Sequence, residues 1–238
     1  LTIAGIPFVG CNTEASAVCM DKAVTNALAD FYGIPQAKWT AFDRHAYAAD
    51  KALLLKTAAD KLGFPIFVKP ANTGSSVGVT KVCSFDELAP ACEKAFEFDK
   101  KIVLEEGIDG VEIECAVLGN EEPIASVVGE IVPCNDFYDY DAKYLAGDSE
   151  LHIPARLPEE KLEAVRAAAV NAFRSFGCSG LTRVDFFVRR SDGEILLNEP
   201  NTIPGFTEIS MYPKLFAASG IPYPELLDKL INYAIERQ

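Results

Sequence analysis

Several patterns are missing from this 238-residue chain, and each absence closes a route. No two of its seven cysteines are spaced C-x-x-C and none falls in a metal-ligand pattern, so no disulfide framework is implied and the thiols read as reduced, small apolar residues of a cytosolic protein. No apolar run has the length of a membrane span. The opening LTIAGIPFVG carries neither a basic segment nor a long apolar core with a cleavage site, which argues against secretion. Positive charge is in deficit: 22 Lys and Arg face 35 Asp and Glu, for a net charge of −13. That balance disfavours nucleic acid and anionic membranes as partners, because both reward clustered basic residues. An anionic ligand would need its lysines gathered locally. Walker A spacing, internal repeats and low-complexity tracts are also absent.

What is present suits one large domain or two small lobes. The apolar first ten residues read as the end of a preceding unit rather than a beginning. The densest chemistry lies further on, in RVDFFVRRSDGEILLNEPNTIPG, residues 183–205. Apolar runs at 184–188 and 195–197 flank Ser191-Asp192-Gly193, which predicts a β-hairpin. With pairing centred on Asp192, Asp185 lies opposite Glu199 and Arg183 opposite Asn201, and the two-residue period puts all four on one face.

Carboxylates opposed in this way repel by ~1 kcal/mol in water and ~4 kcal/mol at an effective dielectric of 20 when about 4 Å apart. A hard divalent cation held by Asp185, Glu199 and the Asn201 carbonyl would offset the repulsion; the alternative is a solvated face on which Arg183 pairs with Asp185. Absence of His and Cys from the cluster argues against zinc. In this register Asn198 falls on the apolar face beside Phe186, so the strand is expected to bend there.

Asp21 caps a predicted helix with apolar positions Val24, Leu28 and Phe31, ended by Gly33. Lys22 in its first turn opposes the helix dipole, which invites a reason for its presence. A second helix spans 50–62. The strand FPIFVKP delivers Lys69 to the head of ANTGSSVGV, a loop whose backbone N–H groups and hydroxyls can turn toward phosphate oxygens, and a return strand runs through Val82. Ser84 and Glu87 form a capping box for a helix through Phe98. Strands at 101–105 and 111–118 are separated by GIDG, a natural hinge with Glu105, Glu106 and Glu112 around it as acceptors for an amino group or ribose hydroxyls. The poorly periodic stretch 129–155, rich in Tyr and Phe, predicts a lid carrying Lys143. Helices at 158–176, 211–219 and 224–237 complete the reading.

Four motifs in this order, KPANTGSSVG from Lys69, YDAKY from Tyr140, Arg183-Val-Asp185 and NEPNTIPGFT from Asn198, resemble the ATP-grasp family and within it the D-alanine:D-alanine ligases. The resemblance covers essentially the whole chain and implies an α+β fold of two lobes with nucleotide between them. Residues 1–20 would be a linker from an absent N-terminal domain, 21–104 the central lobe, and 105–238 the C-terminal lobe with a lid at 133–155. Lys22, Lys69, Ser76 and, on closure, Lys143 would serve the ATP phosphates. Glu105, Glu106, Ile108, Glu112 and Phe187 would surround base and ribose, Asn198 and Glu199 would also bind ATP, and Asp185, Glu199 and Asn201 would hold two Mg²⁺, or Mn²⁺, ions.

The implied reaction is ATP-dependent carboxylate–amine ligation for peptidoglycan precursor synthesis in the cytoplasm. A D-alanine carboxylate takes the γ-phosphoryl group, and the amine of a second D-alanine then displaces phosphate. Arg183 would stabilise the oxyanion, Ser75 and Tyr144 would close the site through hydrogen bonds, and Gly205, Ser210 and Met211 would hold the second substrate. The family relatives imply a homodimer for the full-length protein. Without the N-terminal domain this chain is expected to bind nucleotide better than it catalyses. Tyr144 disfavours a D-lactate acceptor, while a D-alanine:D-serine ligase and a catalytically silent ATP-binding module remain as alternatives.

Overall fold

The computed structural model describes residues 1–132, 150–207 and 209–237. Two antiparallel sheets organise them. The first has β1 (Trp39–Asp43), β2 (Ile66–Pro70), β3 (Thr80–Val82) and β4 (Lys101–Glu106), in the spatial order β1-β4-β2-β3. One of its faces packs against α3 (Arg44–Ala49), α4 (Lys51–Leu62) and α5 (Phe85–Ala95) around Phe42, Leu55, Ile66, Val68, Leu88 and Leu104. The second contains β5 (Gly110–Gly119), β6 (Ile124–Val132), β7 (Glu150–His152), β8 (Gly180–Arg189) and β9 (Ile195–Asn201), in the order β7-β6-β5-β8-β9. Residues 107–109 are the whole connection from β4 to β5, and so from one sheet to the other.

Alternation along β5 and β8 sorts their side chains onto two faces. Ile113, Cys115, Val117, Val184, Phe186 and Val188 point to one side, into a core shared with α1 (Thr13–Met20), α2 (Lys22–Tyr32) and α6 (Glu159–Ser175). The opposite face is divided along its length. Ala116, Leu118 and Leu181 lie beneath α7 (Met211–Ala218) and α8 (Tyr223–Glu236). Further along the same face, Glu112 lies opposite Phe187 and Glu114 opposite Asp185. The sheet is therefore covered by helices at one end and polar at the other.

Most expected elements form, with local corrections. The Asp21 carboxylate accepts from Ala23 N and Val24 N, and Gly33 ends α2 at φ 66°. The apolar stripe expected to bury α2 does not do so: Val24 and Phe31 are 38% and 78% exposed, while Thr25, Asn26 and Ala29 are buried. The helix turns its small polar side inward because Thr25 Oγ1 donates to Val18 O and Asn26 reaches Glu105. At α5 the capping box is half made. Ser84 Oγ and Cys83 N both donate to Glu87, while the serine accepts no helix N–H, and the helix stops at Ala95 rather than Phe98. Periodicity missed the short elements α1, β1 and α3 and also the nine-residue β6. The stretch read as an irregular segment from 129 starts as the last residues of β6 and ends with β7; the lid residues 133–149 between them, Lys143 and Tyr144 included, lie outside the described residues. The described cysteines, Cys11, Cys19, Cys83, Cys92, Cys115 and Cys178, are free thiols. Among the described residues no helix is long and apolar enough to cross a membrane.

Candidate functional site

A cavity of about 390 Å³ opens between the sheets, over the part of the second sheet that α7 and α8 leave bare. Lys69 from β2, Glu105 and Glu106 from β4, Ser75 and Ser76 from the loop after β2, and Lys22 from α2 line one side. Glu112, Phe187, Asn198 and Glu199 from the second sheet line the other, and Ile108 stands in the short connection. Residues more than 170 positions apart in sequence are thus brought to one cleft, which holds Lys22 and Lys69 together with the Phe187 ring.

The structure supplies the reason for Lys22. Its backbone N–H donates to Ala71 O and its Nζ donates to Thr73 O at 2.6 Å, 3.9 Å from the Glu199 carboxylate. The helix start and the serine-glycine loop are thereby tied together, and a cation is held beside the acidic strand at the cost of a weak dipole penalty. Ser75 and Ser76 in that loop have φ of 52° and 58°, a left-handed conformation that costs non-glycine residues roughly 1–2 kcal/mol each and is tolerated where surrounding structure imposes it. Lys69 is paired with Glu105 at 2.5 Å, and Asn26 Nδ2 donates to the other oxygen of that carboxylate at 3.0 Å. Burial works to lower the Lys69 pKa, but the Glu105 charge and hydrogen bond, with help from Glu199 and Glu112, leave it above the ordinary lysine value. It remains a cation. Glu105 thus accepts from a lysine and an amide within the protein while lining the cavity.

The predicted acidic hairpin forms, and its pairing has an instructive origin. Arg183 is opposite Asn201 and Asp185 opposite Glu199. Near the turn, however, Phe186 pairs with Leu197, Phe187 with Leu196 and Val188 with Ile195, one residue away from a register centred on Asp192. Arg189 N donates to Glu194 O, closing a four-residue loop, and a bulge between Asp185 and Phe186 takes up the difference. Asn198 is the unpaired residue of that bulge. It lines the cavity beside Glu199, not the apolar face, because a bulge lets two successive side chains lean to the same side where a regular strand cannot.

Arg183 Nε and Nη2 each donate to Asp185 at 2.7 Å, Arg183 Nε lies 3.2 Å from Glu114 Oε2, and Asn201 Nδ2 donates to Asp185 at 2.9 Å. Both readings of the cluster are therefore compatible with the same geometry: the carboxylates do face each other, and Arg183 does pair with Asp185. Burial opposes the charge on Arg183, but Asp185 and Glu114 outweigh it and push its pKa further up. Among the described residues no group of three or more His, Cys, Asp or Glu side chains is arranged to hold an ion. The candidate set is smaller, two carboxylates and an amide, all oxygen donors, which suits an ion that completes its shell with water and phosphate. Asp185, Arg183 and Asn201 do not line the cavity itself; they lie beside Glu199 along the same face of the sheet.

Gly205 and Ser210 stand together at the other end of the hairpin. A Cβ on Gly205 would meet Ser210 Oγ at 2.8 Å, and Ser210 Oγ also contacts Thr207 N and Oγ1. Met211 is buried under the sheet, where its Cε packs over Gly129. Sequence reasoning missed Asn26, Glu114 and the Glu130–Arg156 pair at the cavity edge. Arg156 donates Nη2, Nε and its backbone N–H to Glu130 and holds that carboxylate below its ordinary pKa. Glu114 was legible in principle, since it follows Glu112 by one strand period.

Comparison with known proteins agrees with this arrangement. A family model described as "D-ala D-ala ligase C-terminus" matches residues 28–232. The chain is 52% identical to the D-alanine–D-alanine ligase of Acetivibrio thermocellus over 99% of its own length and 62% of the relative's, and 53% identical to that of Ruminiclostridium cellulolyticum over 99% and 63%. Among solved structures, the D-alanine-D-alanine ligase of Coxiella burnetii superposes with a TM-score of 0.85 at 38% identity, covering 100% of this chain and 63% of that one. The VanG D-Ala:D-Ser ligase of Enterococcus faecalis gives 0.89 at 42%, covering 98% and 66%. The chain therefore spans under two thirds of the length of the relatives first matched. Its α+β architecture is that of the ATP-grasp enzymes, and with a family model covering most of its length the chain belongs to the D-alanine–D-alanine ligase family.

Proposed function

We propose that this chain is the nucleotide- and metal-binding part of an ATP-dependent enzyme that joins two D-alanine molecules for peptidoglycan precursor synthesis in the cytoplasm. The observation that carries the reading is the opposition of Asp185 and Glu199 beneath a cavity whose other wall presents Lys22 and Lys69. In this reading residues 21–104 and 105–238 form two lobes. Lys22, Lys69 and the N–H groups around Ser75 and Ser76 neutralise and orient the phosphates. Phe187 lies under the adenine, Glu112 accepts from the ribose, and Glu106 and Ile108 meet the base edge. Asp185, Glu199 and Asn201 hold Mg²⁺ or Mn²⁺, which supplies charge neutralisation of the transferring phosphoryl group when bound. Arg183 presents its guanidinium toward the oxyanion that develops when the amine attacks, and Gly205, Ser210 and Met211 border the acceptor. Lys143 and Tyr144 belong to the same proposal through the family motif alone. The substrates are small molecules, and the full-length protein is a homodimer.

A second reading, ligation of D-alanine to D-serine, is favoured by the likeness to the VanG ligase. Calorimetric titration of the chain with ATP and Mg²⁺ tests the nucleotide reading: binding that requires the metal is expected, and no binding would remove it. Product analysis by mass spectrometry with mixed D-alanine and D-serine, using the chain joined to the part of a relative that it does not match, separates the two acceptors; nucleotide binding without any dipeptide would instead leave a silent ATP-binding module.

A further inference from the structure

Glu114 takes no part in the reading above, yet at 4% exposure it is one of the most buried charged residues among those described. It sits on β5 directly opposite Asp185 of β8, and Arg183 is its diagonal neighbour. The guanidinium of Arg183 is therefore placed between two carboxylates, with 2.7 Å contacts to both Asp185 oxygens and 3.2 Å to Glu114 Oε2. One of these carboxylates is the proposed cation ligand. A divalent ion and a guanidinium compete for the same oxygen lone pairs, since each asks for the charged carboxylate and neither shares a lone pair. When the ion takes Asp185, the guanidinium loses contacts, and a charge so enclosed is tolerated only beside another anion.

We propose that Glu114 is that anion, a positioning residue that holds Arg183 in place when a cation claims Asp185, so that cation binding and placement of the guanidinium are coupled. The proposal rests on the metal reading above and deepens it. Nothing else that the described structure places near Arg183 serves as well. Glu199 is itself a proposed ligand and carries the Lys22 contact, and Asn201 is neutral and donates to Asp185. Glu114 lies one strand away, is held by the sheet register, and does not line the cavity where nucleotide would reach it.

The test uses Mn²⁺ as the probe, titrated by electron paramagnetic resonance into the whole chain with the non-hydrolysable analogue AMP-PNP. Glu114→Gln is expected to weaken Mn²⁺ about tenfold, the order of one close ion pair shielded from water. In an Arg183→Met background the same change is expected to shift the affinity less than about twofold, because the group it acts through is gone. Should Arg183→Met fail to fold by thermal melting, Arg183→Lys replaces it, since a lysine cannot span both carboxylates and the Glu114 effect should again shrink. An equal loss in both backgrounds would mean that Glu114 acts as a bare charge and would overturn the proposal. Unchanged affinity of Glu114→Gln in an otherwise competent chain would also overturn it while leaving the metal reading intact. Failure of the unaltered chain to take up Mn²⁺ with AMP-PNP would remove the metal reading itself, and this proposal with it.

Discussion

At the scale of single residues, Glu199 is the side chain whose loss should separate fold from function. It faces Asp185, lies 3.9 Å from Lys22 and is only partly buried, so Glu199→Gln removes charge without opening a cavity. Its thermal midpoint should stay near that of the unaltered chain while Mg²⁺-dependent ATP binding is lost; unchanged Mg·ATP affinity by calorimetry would defeat the metal assignment. The Glu114, Arg183 and Asp185 cluster makes the opposite kind of prediction. Removing the guanidinium alone leaves two enclosed carboxylates facing each other across β5 and β8, and Arg183→Met is expected to cost ~3–5 kcal/mol in urea unfolding. Replacing all three, Glu114→Leu, Arg183→Met and Asp185→Leu, should be neutral or stabilising by ~1–4 kcal/mol, because no charge is then left without its partner. A triple variant as unstable as the single one would show that these charges serve the fold rather than the chemistry.

Among elements, the β8–β9 hairpin shows how much a sequence discloses. The opposition of Asp185 and Glu199 was legible because a turn signal and a two-residue period fix partners at equal distances from a centre. That centre was wrong by half a residue near the turn, and the bulge at Asn198 shifted the outer pairs back onto the expected partners. Bulges leave no composition signal, so the register was recoverable at its outer end and not at its inner one. Deleting Asn198 should restore a regular ladder with Asp185 still opposite Glu199. Urea midpoints should then correspond to a change under ~1 kcal/mol, while Mg·ATP binding weakens as the second polar group leaves the cavity side; a loss of ~3 kcal/mol or more would mean that the bulge is required by the fold. Elsewhere, a cap announced its helix well, as Asp21 did for α2, because a side-chain acceptor for orphan N–H groups is a local matter. The buried face of α2 was not local. Asn26 turns inward because a distant partner, Glu105, awaits it, and Thr25 beside it reaches back to Val18 O in the preceding helix.

For the whole molecule, acidity should act through carboxylates whose folded pKa is depressed. Glu130 is lowered chiefly by its hydrogen bond with Arg156, and Glu87 by the N–H of Cys83 and the hydroxyl of Ser84. A depressed carboxylate stabilises the folded state fully above its unfolded pKa, near 4.5 for glutamate, and that contribution disappears as pH falls through the lower folded value. Urea midpoints are thus expected to hold steady from neutrality down to about pH 5 and to decline below it. In Arg156→Met the part due to Glu130 should be missing, giving a shallower decline. An identical pH profile for that variant would reject the linkage.

Because α7 and α8 cover only one end of the second sheet's inner face, the charges at the other end also terminate an apolar surface. Hydrocarbon at 112 and 183 would prolong the strip that begins with Ala116, Leu118 and Leu181, carrying it from beneath the helices into the open cleft. Exposed strips of that kind make proteins adhere to one another. A descendant of this chain that had ceased to handle nucleotide would still gain solubility from those ionised side chains, so finding them retained in a homologue would not by itself show that the homologue works.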